Sequence, residues 1–443
     1  MSRPGRSCVW YPFTQMSETA AAPFLSIVRA RGNYLYDERG RKYFDGVSSL
    51  WCNLHGHAIP EIVRAISRQA ATLDHSTLLG LTHPWAEELG RRLVSIAPKG
   101  LSRVFYSDNG ATAVEVALKM AYQHWQNRGE PHRTRFMSFR LSYHGDTMGA
   151  VSVGGLDIFH ATFKPLLFKS VKVDPPYCYR CPLKLKFPSC RYKCLEAVES
   201  ALKRHSRRLA AFVVEPKVLG AGGMIVQPPG YLARLARLCR KYNVPLIADE
   251  VATGFGRTGR MFACEHENVR PDFLCLAKGI TAGILPLAAT LTTERVYSAF
   301  LGRYEELKTF FHGHTFTGNP IGCAAALANL DYFKARQVLK TLPPKIRYFR
   351  DRLETLRGVS HVGDIRQAGL MVGIELVRNV SSREPYAWVE AVGRKVSARM
   401  REDGVLVRPI GNVLILAPPL SSTPAELSRL VAATRRGIQD VLA

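Results

Sequence analysis

Lysine is a surface residue by habit, so Lys278 stands out: it closes the apolar run FLCLA and is followed at once by glycine. Such a residue either reaches out to solvent from a strand end or gives up its water. In the second case the ammonium must be paired or lose its proton, and a neutral amine is a nucleophile that forms Schiff bases. Both readings are open from this stretch alone. Two other apolar runs end in acids: AAFVVEP stops at Glu215, and VPLIADE stops at Asp249 and Glu250. In parallel α/β sheets ligands sit at the carboxyl ends of strands, so these three runs would deliver Glu, Asp and Lys to one edge. Upstream, SDNGATAVEVA places Asn109, Gly110 and Ala111 at a helix start after a strand. Free N–H groups and the helix dipole favour an anion there, although an ordinary N-cap with glycine uses the same residues.

An imine-forming lysine, an aspartate and a phosphate seat together describe pyridoxal phosphate. Lys278 would hold the cofactor, and Asp249 would pair with the pyridine nitrogen and keep it protonated, so that the ring accepts electrons. Tyr143 and His144 of LSYHGDT are candidates to cover one ring face, and Val251 to pack beneath the other.

The elements needed to position these groups are those of an α/β protein. RFMSF, LAAFVVE, VPLIADE, DFLCLAK and LAATLTT read as strands alternating with helices, which implies a mostly parallel sheet covered by helices. Segments 60–75 and 84–97 read as helices. In GATAVEVALKMAYQHWQ, Val114, Leu118, Ala121 and Trp125 recur at helical spacing. NYLYDERGRKYFDG reads as a hairpin. One helix is expected near 324–357, before strands and helices of an α+β character. The expected division is an N-terminal arm over 1–60 that joins the small domain, a large cofactor-binding domain over 61–330, and a small C-terminal domain over 331–443.

The chain has 443 residues, 47% of them hydrophobic, enough for a large core, and a formal charge of +25. The basic residues are scattered over helix-like segments with no nucleic-acid motif to organise them, so the reading is a solvated basic surface, with no nucleic acid as partner. No apolar run is long enough to span a membrane, and no secretory h-region is seen, so the expected location is the cytoplasm. Six cysteines are isolated and fit a reducing compartment. Cys178, Cys181, Cys190 and Cys194 are clustered in C-x2-C-x8-C-x3-C, close to structural zinc spacing. Four thiolates would satisfy a tetrahedral site; four reduced thiols in a surface loop, or a disulfide, are the alternatives.

Longer motifs carry a resemblance. VPLIADEVATGFGRTGRMFACEHE followed by PDFLCLAKGITAG, together with YHGDT and HGHTFTGNPIGCAAALANL, resembles the class III, fold-type I, pyridoxal-phosphate-dependent aminotransferases. VWYPFTQM, FDGVSSLWCNLHGH, HSTLLGLTHPWAEEL and GVLVRPIGNVLILAPPL resemble, more narrowly, the 7,8-diaminopelargonic acid synthases of biotin biosynthesis. The resemblance implies transamination of 8-amino-7-oxononanoate (KAPA) to 7,8-diaminononanoate (DAPA) by a homodimer with its site at the interface. It makes Lys278 the Schiff-base lysine and proton shuttle, Asp249 the partner of the pyridine nitrogen, and Tyr143 the residue stacked on the ring. Asn109, Gly110 and Ala111 hold the phosphate, joined by Thr315 from the partner subunit. Phe13, Leu50, Trp51, Glu215, Gly313 and Arg408 fall in the substrate site, with Arg408 on the substrate carboxylate and Glu215 neutralising Arg408 when no carboxylate is bound.

The amino donor implied is S-adenosylmethionine or L-lysine. Phe13 and Leu50 stand where donors of the first kind usually meet tyrosine and tryptophan, which tips the reading slightly towards lysine. Lys217 and Leu219 also depart from the family pattern. An ω-amino acid:pyruvate aminotransferase and a 2,1-aminomutase are the alternatives; WYPFTQM argues against both.

Overall fold

A computed structural model describes residues 8–21 and 24–443. The hairpin expected near the N-terminus is present: β1 (Ile27–Arg31), β2 (Tyr34–Asp37) and β3 (Lys42–Asp45) are antiparallel, with Tyr34 opposite Phe44. The central sheet is built from β4 (Leu101–Ser107), β5 (Arg135–Phe139), β6 (Val171–Val173) and β7 (Leu209–Val214). After the short hairpin β8 (Val218–Leu219) and β9 (Ile225–Val226), it is completed by β10 (Leu246–Asp249), β11 (Phe273–Leu276) and β12 (Ala288–Thr293). The order is β4-β12-β11-β10-β7-β5-β6, and β12 alone runs antiparallel to its neighbours. Strands covered on both faces read as continuous apolar runs, and β7, β10 and β11 are buried at every residue. That is why β7, β10 and β11 end so sharply at Glu215, Asp249 and Lys278: the first polar residues mark where the sheet stops.

The helix Gly110–Asn127 lies across one face. Its stripe of Val114, Leu118, Ala121 and Trp125 packs on Phe136, Val213, Ile247 and Phe273 of the sheet. Each large side chain so buried contributes about 1.5–3 kcal/mol relative to exposure. The indole N–H of Trp125 is also satisfied, by the Ala210 carbonyl at 2.9 Å.

The C-terminal strands β13 (Val362–Ala368), β14 (Met371–Asn379), β15 (Glu384–Pro385), β16 (Val405–Leu406), β17 (Arg408–Ile410) and β18 (Val413–Leu416) separate into two sheets. One has the order β13-β14-β18-β17, with β15 on β14; β16 instead pairs in parallel with β3, Val405 opposite Phe44. The single helix expected near 324–357 is two, Pro320–Ala335 and Val338–Glu354. Gln337 between them has φ +48, a left-handed conformation that an α-helix does not accommodate.

One buried cation ties the N-terminal segment, the region after β10 and the C-terminal segment together. Arg257, 1% exposed, donates to the carbonyls of Asn53 (2.8 Å), Pro418 (2.7 Å) and Ala417 (3.4 Å). No carboxylate forms an ion pair with it among the described residues, and burial pushes its pKa down to about 10 against the opposing pull of Cys52 and Asp45. Arg257→Met keeps the volume but orphans the Asn53 and Pro418 carbonyls, at about 1–3 kcal/mol each before relaxation, while Ala417 keeps the Ser48 hydroxyl. The variant is expected to melt several degrees lower by calorimetry; an unchanged midpoint would show that Arg257 does not join the three segments.

Candidate active site

Two residues beyond β11 the chain turns at Lys278, whose φ is +44, into a one-turn 3-10 helix, Lys278–Thr281. That turn is clamped from beneath. The Asn329 amide donates to the Gly279 and Ile280 carbonyls at 2.9 Å each, and its oxygen meets His55 Nε2 at 2.8 Å. Gly279 is closely packed as well: a Cβ would lie 3.0 Å from Phe255 Cβ and 3.1 Å from Leu54, so either neighbour would have to give way. Lys278 is thereby aimed into a cleft of about 710 Å³ that also receives Glu215, Asp249, Asn109, Gly110, Ala111, Tyr143, Val251 and Trp51. The amine stands 5.6 Å from the centre of the Trp51 ring. Burial pushes its pKa down, while Asp249, Cys52 and Glu215 pull it back up.

The three strand ends do reach one edge, but the third acid, Glu250, does not. Asp249 enters the cleft, with Oδ1 accepting from the Val251 N–H (3.1 Å) and Oδ2 2.7 Å from His144 Nδ1. His144 was expected to cover a ring face. It lies instead behind Asp249, fully buried, with Nε2 unpartnered among the described residues. Glu215 accepts from the Tyr143 N–H (3.0 Å) and the Gly220 N–H (2.8 Å); burial, then Asp249, raise its pKa to about 8. Glu250 turns away and caps the next turn, accepting from the amides of Ala263 (2.6 Å) and Cys264 (2.8 Å).

At the other end of the cleft, Asn109 caps the helix Gly110–Asn127. Its Oδ1 accepts from the Thr112 N–H at 3.1 Å, and Thr112 Oγ1 accepts from the Asn109 N–H at 3.1 Å. The N–H groups of Gly110 and Ala111 have no partner among the described residues, so two donors and the helix dipole face the cleft. The backbone approach is close: a Cβ on Gly110 would lie 2.5 Å from Val251 Cγ1, and one on Gly145 (φ +126) 2.3 Å from the Ala111 Cβ.

The outer residues are spread more widely. The Tyr143 hydroxyl donates to Asp146 at 2.7 Å, and the ring lies nearly parallel to His160 (18°, 6.1 Å). Phe159 links Tyr143 to Phe13 (6.4 and 5.3 Å), and Arg408 sits 5.9 Å from the Phe13 ring. No ion pair joins Arg408 to Glu215 among the described residues: both Glu215 oxygens accept from backbone N–H groups, and Arg408 stands against the Phe13 ring. Leu50 is exposed and outside the cleft lining. Gly313 and Thr315 line a separate surface groove with Phe105, Tyr106 and Phe310 rather than this chain's own cleft. Leu219 is a fully buried strand residue; Lys217 precedes it with φ +70, and nothing in the structure explains either change.

The zinc expectation is corrected. Cys178, Cys181, Cys190 and Cys194 surround one small cavity, but with Pro175, Pro176, Pro182, Leu183 and Phe187 as co-lining groups. No three His, Cys, Asp or Glu side chains come together as metal ligands among the described residues. Burial, followed by the neighbouring thiols of the cluster, pushes the Cys194 thiol up to about 11 and Cys178 upward as well. Spacing put the thiols on one loop; the prolines and apolar side chains around them made a packed pocket.

His144, His160 and Gly145 complete this geometry, and their roles were not legible. Only the G following the YH pair hinted that the backbone turns sharply there.

A buried amine, a carboxylate fixed by imidazole, two N–H donors without a partner among the described residues and a cleft that Val251 and Tyr143 both line match the chemical groups of pyridoxal phosphate. The comparisons agree. Residues 15–437 match the model of the family described as aminotransferase class-III. A Geobacter sulfurreducens protein named adenosylmethionine-8-amino-7-oxononanoate aminotransferase is 51% identical, over 98% of this chain and 96% of that protein. A solved structure under the same name from Methanocaldococcus jannaschii has a TM-score of 0.94 and 46% identity, covering 98% of this chain and 97% of that one. An amine transaminase from an uncultivated Pseudomonas species, in its PLP-bound form, also has a TM-score of 0.94, at 37% identity, covering 99% of this chain and 100% of that one.

The contact between Gly110 and Val251 predicts a paired effect. Gly110→Ala should weaken cofactor retention by about tenfold or more, because the Cβ must displace Val251 or the donor N–H groups. Adding Val251→Ala should restore part of the loss, measured by cofactor absorbance after dialysis. No loss in the single variant would contradict the seat.

Proposed function

The chain belongs to the class III aminotransferase family, and on that premise we propose that it aminates 8-amino-7-oxononanoate to 7,8-diaminononanoate in biotin biosynthesis. The observation that carries this reading is the near-full-length identity to proteins of that printed name, at 51% and 52% for the two from Geobacter sulfurreducens and Nitratidesulfovibrio vulgaris. The amino donor proposed is S-adenosylmethionine, which stands in those names. L-lysine is the second reading, favoured by Phe13, which lacks a hydroxyl for the donor, and by Leu50, which lacks an aromatic face for a sulfonium; Trp51 and Tyr143 still offer such faces.

The enzyme is a pyridoxal-phosphate-dependent aminotransferase, and when bound the cofactor supplies the electron sink that makes a carbon–hydrogen bond next to nitrogen acidic. In the proposed mechanism Lys278 Nζ would hold the cofactor at rest and would be the base that takes and returns the proton at the reacting carbon. Burial lowers its pKa and so favours the neutral amine that such a base needs. Asp249 would face the pyridine nitrogen, and His144 fixes the carboxylate's orientation. Asn109 and the Gly110 and Ala111 N–H groups hold the phosphate; Val251 and Tyr143 enclose the ring. Trp51 lies over the amine and helps to exclude water. Arg408, against the Phe13 ring, receives the substrate carboxylate in a bidentate fork. In this reading residues 61–330 are the large cofactor-binding domain, and residues 331–443 the small domain to which the N-terminal arm, residues 1–60, contributes. Gly313 and Thr315 reach the site of the partner in a homodimer, which accounts for their standing outside their own cleft. No helix among the described residues is long and apolar enough to cross a membrane.

The test supplies 8-amino-7-oxononanoate with each donor in turn and measures diaminononanoate. Turnover is expected with S-adenosylmethionine. Turnover with lysine alone moves the donor to the second reading, and turnover with neither, but with an ω-amine and pyruvate, overturns the substrate. Lys278→Ala should lower the rate at least about 10³-fold and Asp249→Asn about 10²- to 10³-fold. Substantial turnover by Lys278→Ala would remove Lys278 from its role.

A further inference from the structure

One buried ionic group lies outside the cleft and touches it only through backbone. Arg366, on β13, and Glu375, on β14, face each other across the small sheet; they are 8% and 4% exposed. Arg366 Nη1 donates to Glu375 Oε2 and to Asp364 Oδ2 (2.9 Å). Its remaining donors leave the sheet: Nη2 bonds the Gly223 carbonyl at 2.7 Å and Nε the Met224 carbonyl at 3.2 Å. Glu375 is held in turn by Arg180 Nε at 2.5 Å and by the Tyr177 hydroxyl.

Gly223 and Met224 end a tight turn. Their N–H groups both donate to the Gly220 carbonyl, at 3.1 and 2.9 Å. The Gly220 N–H, at the start of the same turn, donates to Glu215 Oε2 at 2.8 Å. The turn is wedged on its other sides. A Cβ on Gly220 would lie 3.0 Å from the Trp51 ring, and one on Gly222 2.3 Å from the Leu141 carbonyl, two residues before Tyr143. Side chains that face the cleft therefore touch one face of this turn, and the arginine grips the opposite end.

We infer that Arg366, oriented by Glu375, is a positioning residue for the active site: it fixes the Gly220–Met224 turn and through it the N–H that holds the Glu215 carboxyl. A guanidinium is suited to this, since its planar fork can satisfy a carboxylate and two carbonyls at once, which a lysine ammonium does not. Loss of the turn's register would cost Glu215 one of its two N–H donors. The groups facing that carboxyl are the Tyr143 and Gly220 N–H groups, Asp249 and Lys278. Hydrogen bonds to the ionised form lower a carboxyl pKa, so losing the Gly220 N–H raises the Glu215 midpoint further above its value of about 8. The inference rests on the proposed site only for its catalytic meaning.

The experiment follows the Glu215 carboxyl itself. Infrared difference spectra of the full-length, cofactor-loaded chain are recorded between pH 6 and 10, and the protonated-carboxyl band is assigned by its disappearance in Glu215→Gln. Arg366→Met is expected to move the midpoint upward by about 0.5 pH unit or more, the scale of coupling in a shared network. Arg366→Lys is expected to move it less, and is the measurement that decides if the methionine variant does not fold. An Arg366 variant with native near-ultraviolet dichroism and an unmoved Glu215 band overturns the inference. Failure of the chain to take up pyridoxal phosphate would instead defeat the functional reading, while the carboxyl band of the same chain still reports on Arg366.

Discussion

The site depends on taking one amine out of water without giving it a full counter-charge. Lys278 stands in a cleft whose desolvation favours the neutral form, and Asp249 and Glu215 oppose that from the neighbouring strand ends. Neither acid supplies a simple ion pair: Asp249 is committed to His144 and the Val251 N–H, and Glu215 to two backbone N–H groups. A fully paired lysine would be a stable cation and a poor nucleophile, and an isolated one would not stay at a sheet edge. Much of the surrounding structure preserves this intermediate condition, from the Asn329–His55 clamp beneath the turn to the Trp51 ring above it.

The sheet makes this placement inexpensive. Parallel strands buried on both faces need apolar sequence to their last residue, so the first polar residue of each emerges at a common edge. The helix beginning at Gly110 supplies the anion end by the same economy, because its first N–H groups are unsatisfied in any helix. Two glycines then set the distances: Gly110 admits Val251, and Gly145 admits the Ala111 side chain, so the phosphate end and the ring floor share one close-packed junction.

This logic explains what could be read in the chain and what could not. Glu215, Asp249 and Lys278 were legible because a strand end is a one-dimensional signal. Glu250 carries the same signal and yet turns away, since the amides of Ala263 and Cys264, thirteen and fourteen residues on, compete for it. His144 looked like a ring cover from its place beside Tyr143, but successive residues in an extended segment point to opposite sides, and Tyr143 faces the cleft while His144 backs Asp249. Gln337 broke a helix that periodicity would have continued. The cysteine spacing suited zinc, but spacing carries no information on the prolines and Phe187 that pack among the thiols. Arg366 was silent in the sequence because its effect passes through carbonyls of Gly223 and Met224, which no side-chain pattern records.

The central claim is that the Lys278 amine, and no other, carries the cofactor. The chain has many lysines on its surface and one at the floor of this cleft. Reduction of the loaded, unsubstituted protein with borohydride, followed by proteolysis and mass spectrometry, fixes the cofactor wherever it was held. The account predicts one modified peptide, containing Lys278, with close to one cofactor per chain. A label spread over several lysines, or concentrated on a peptide without Lys278, would contradict it.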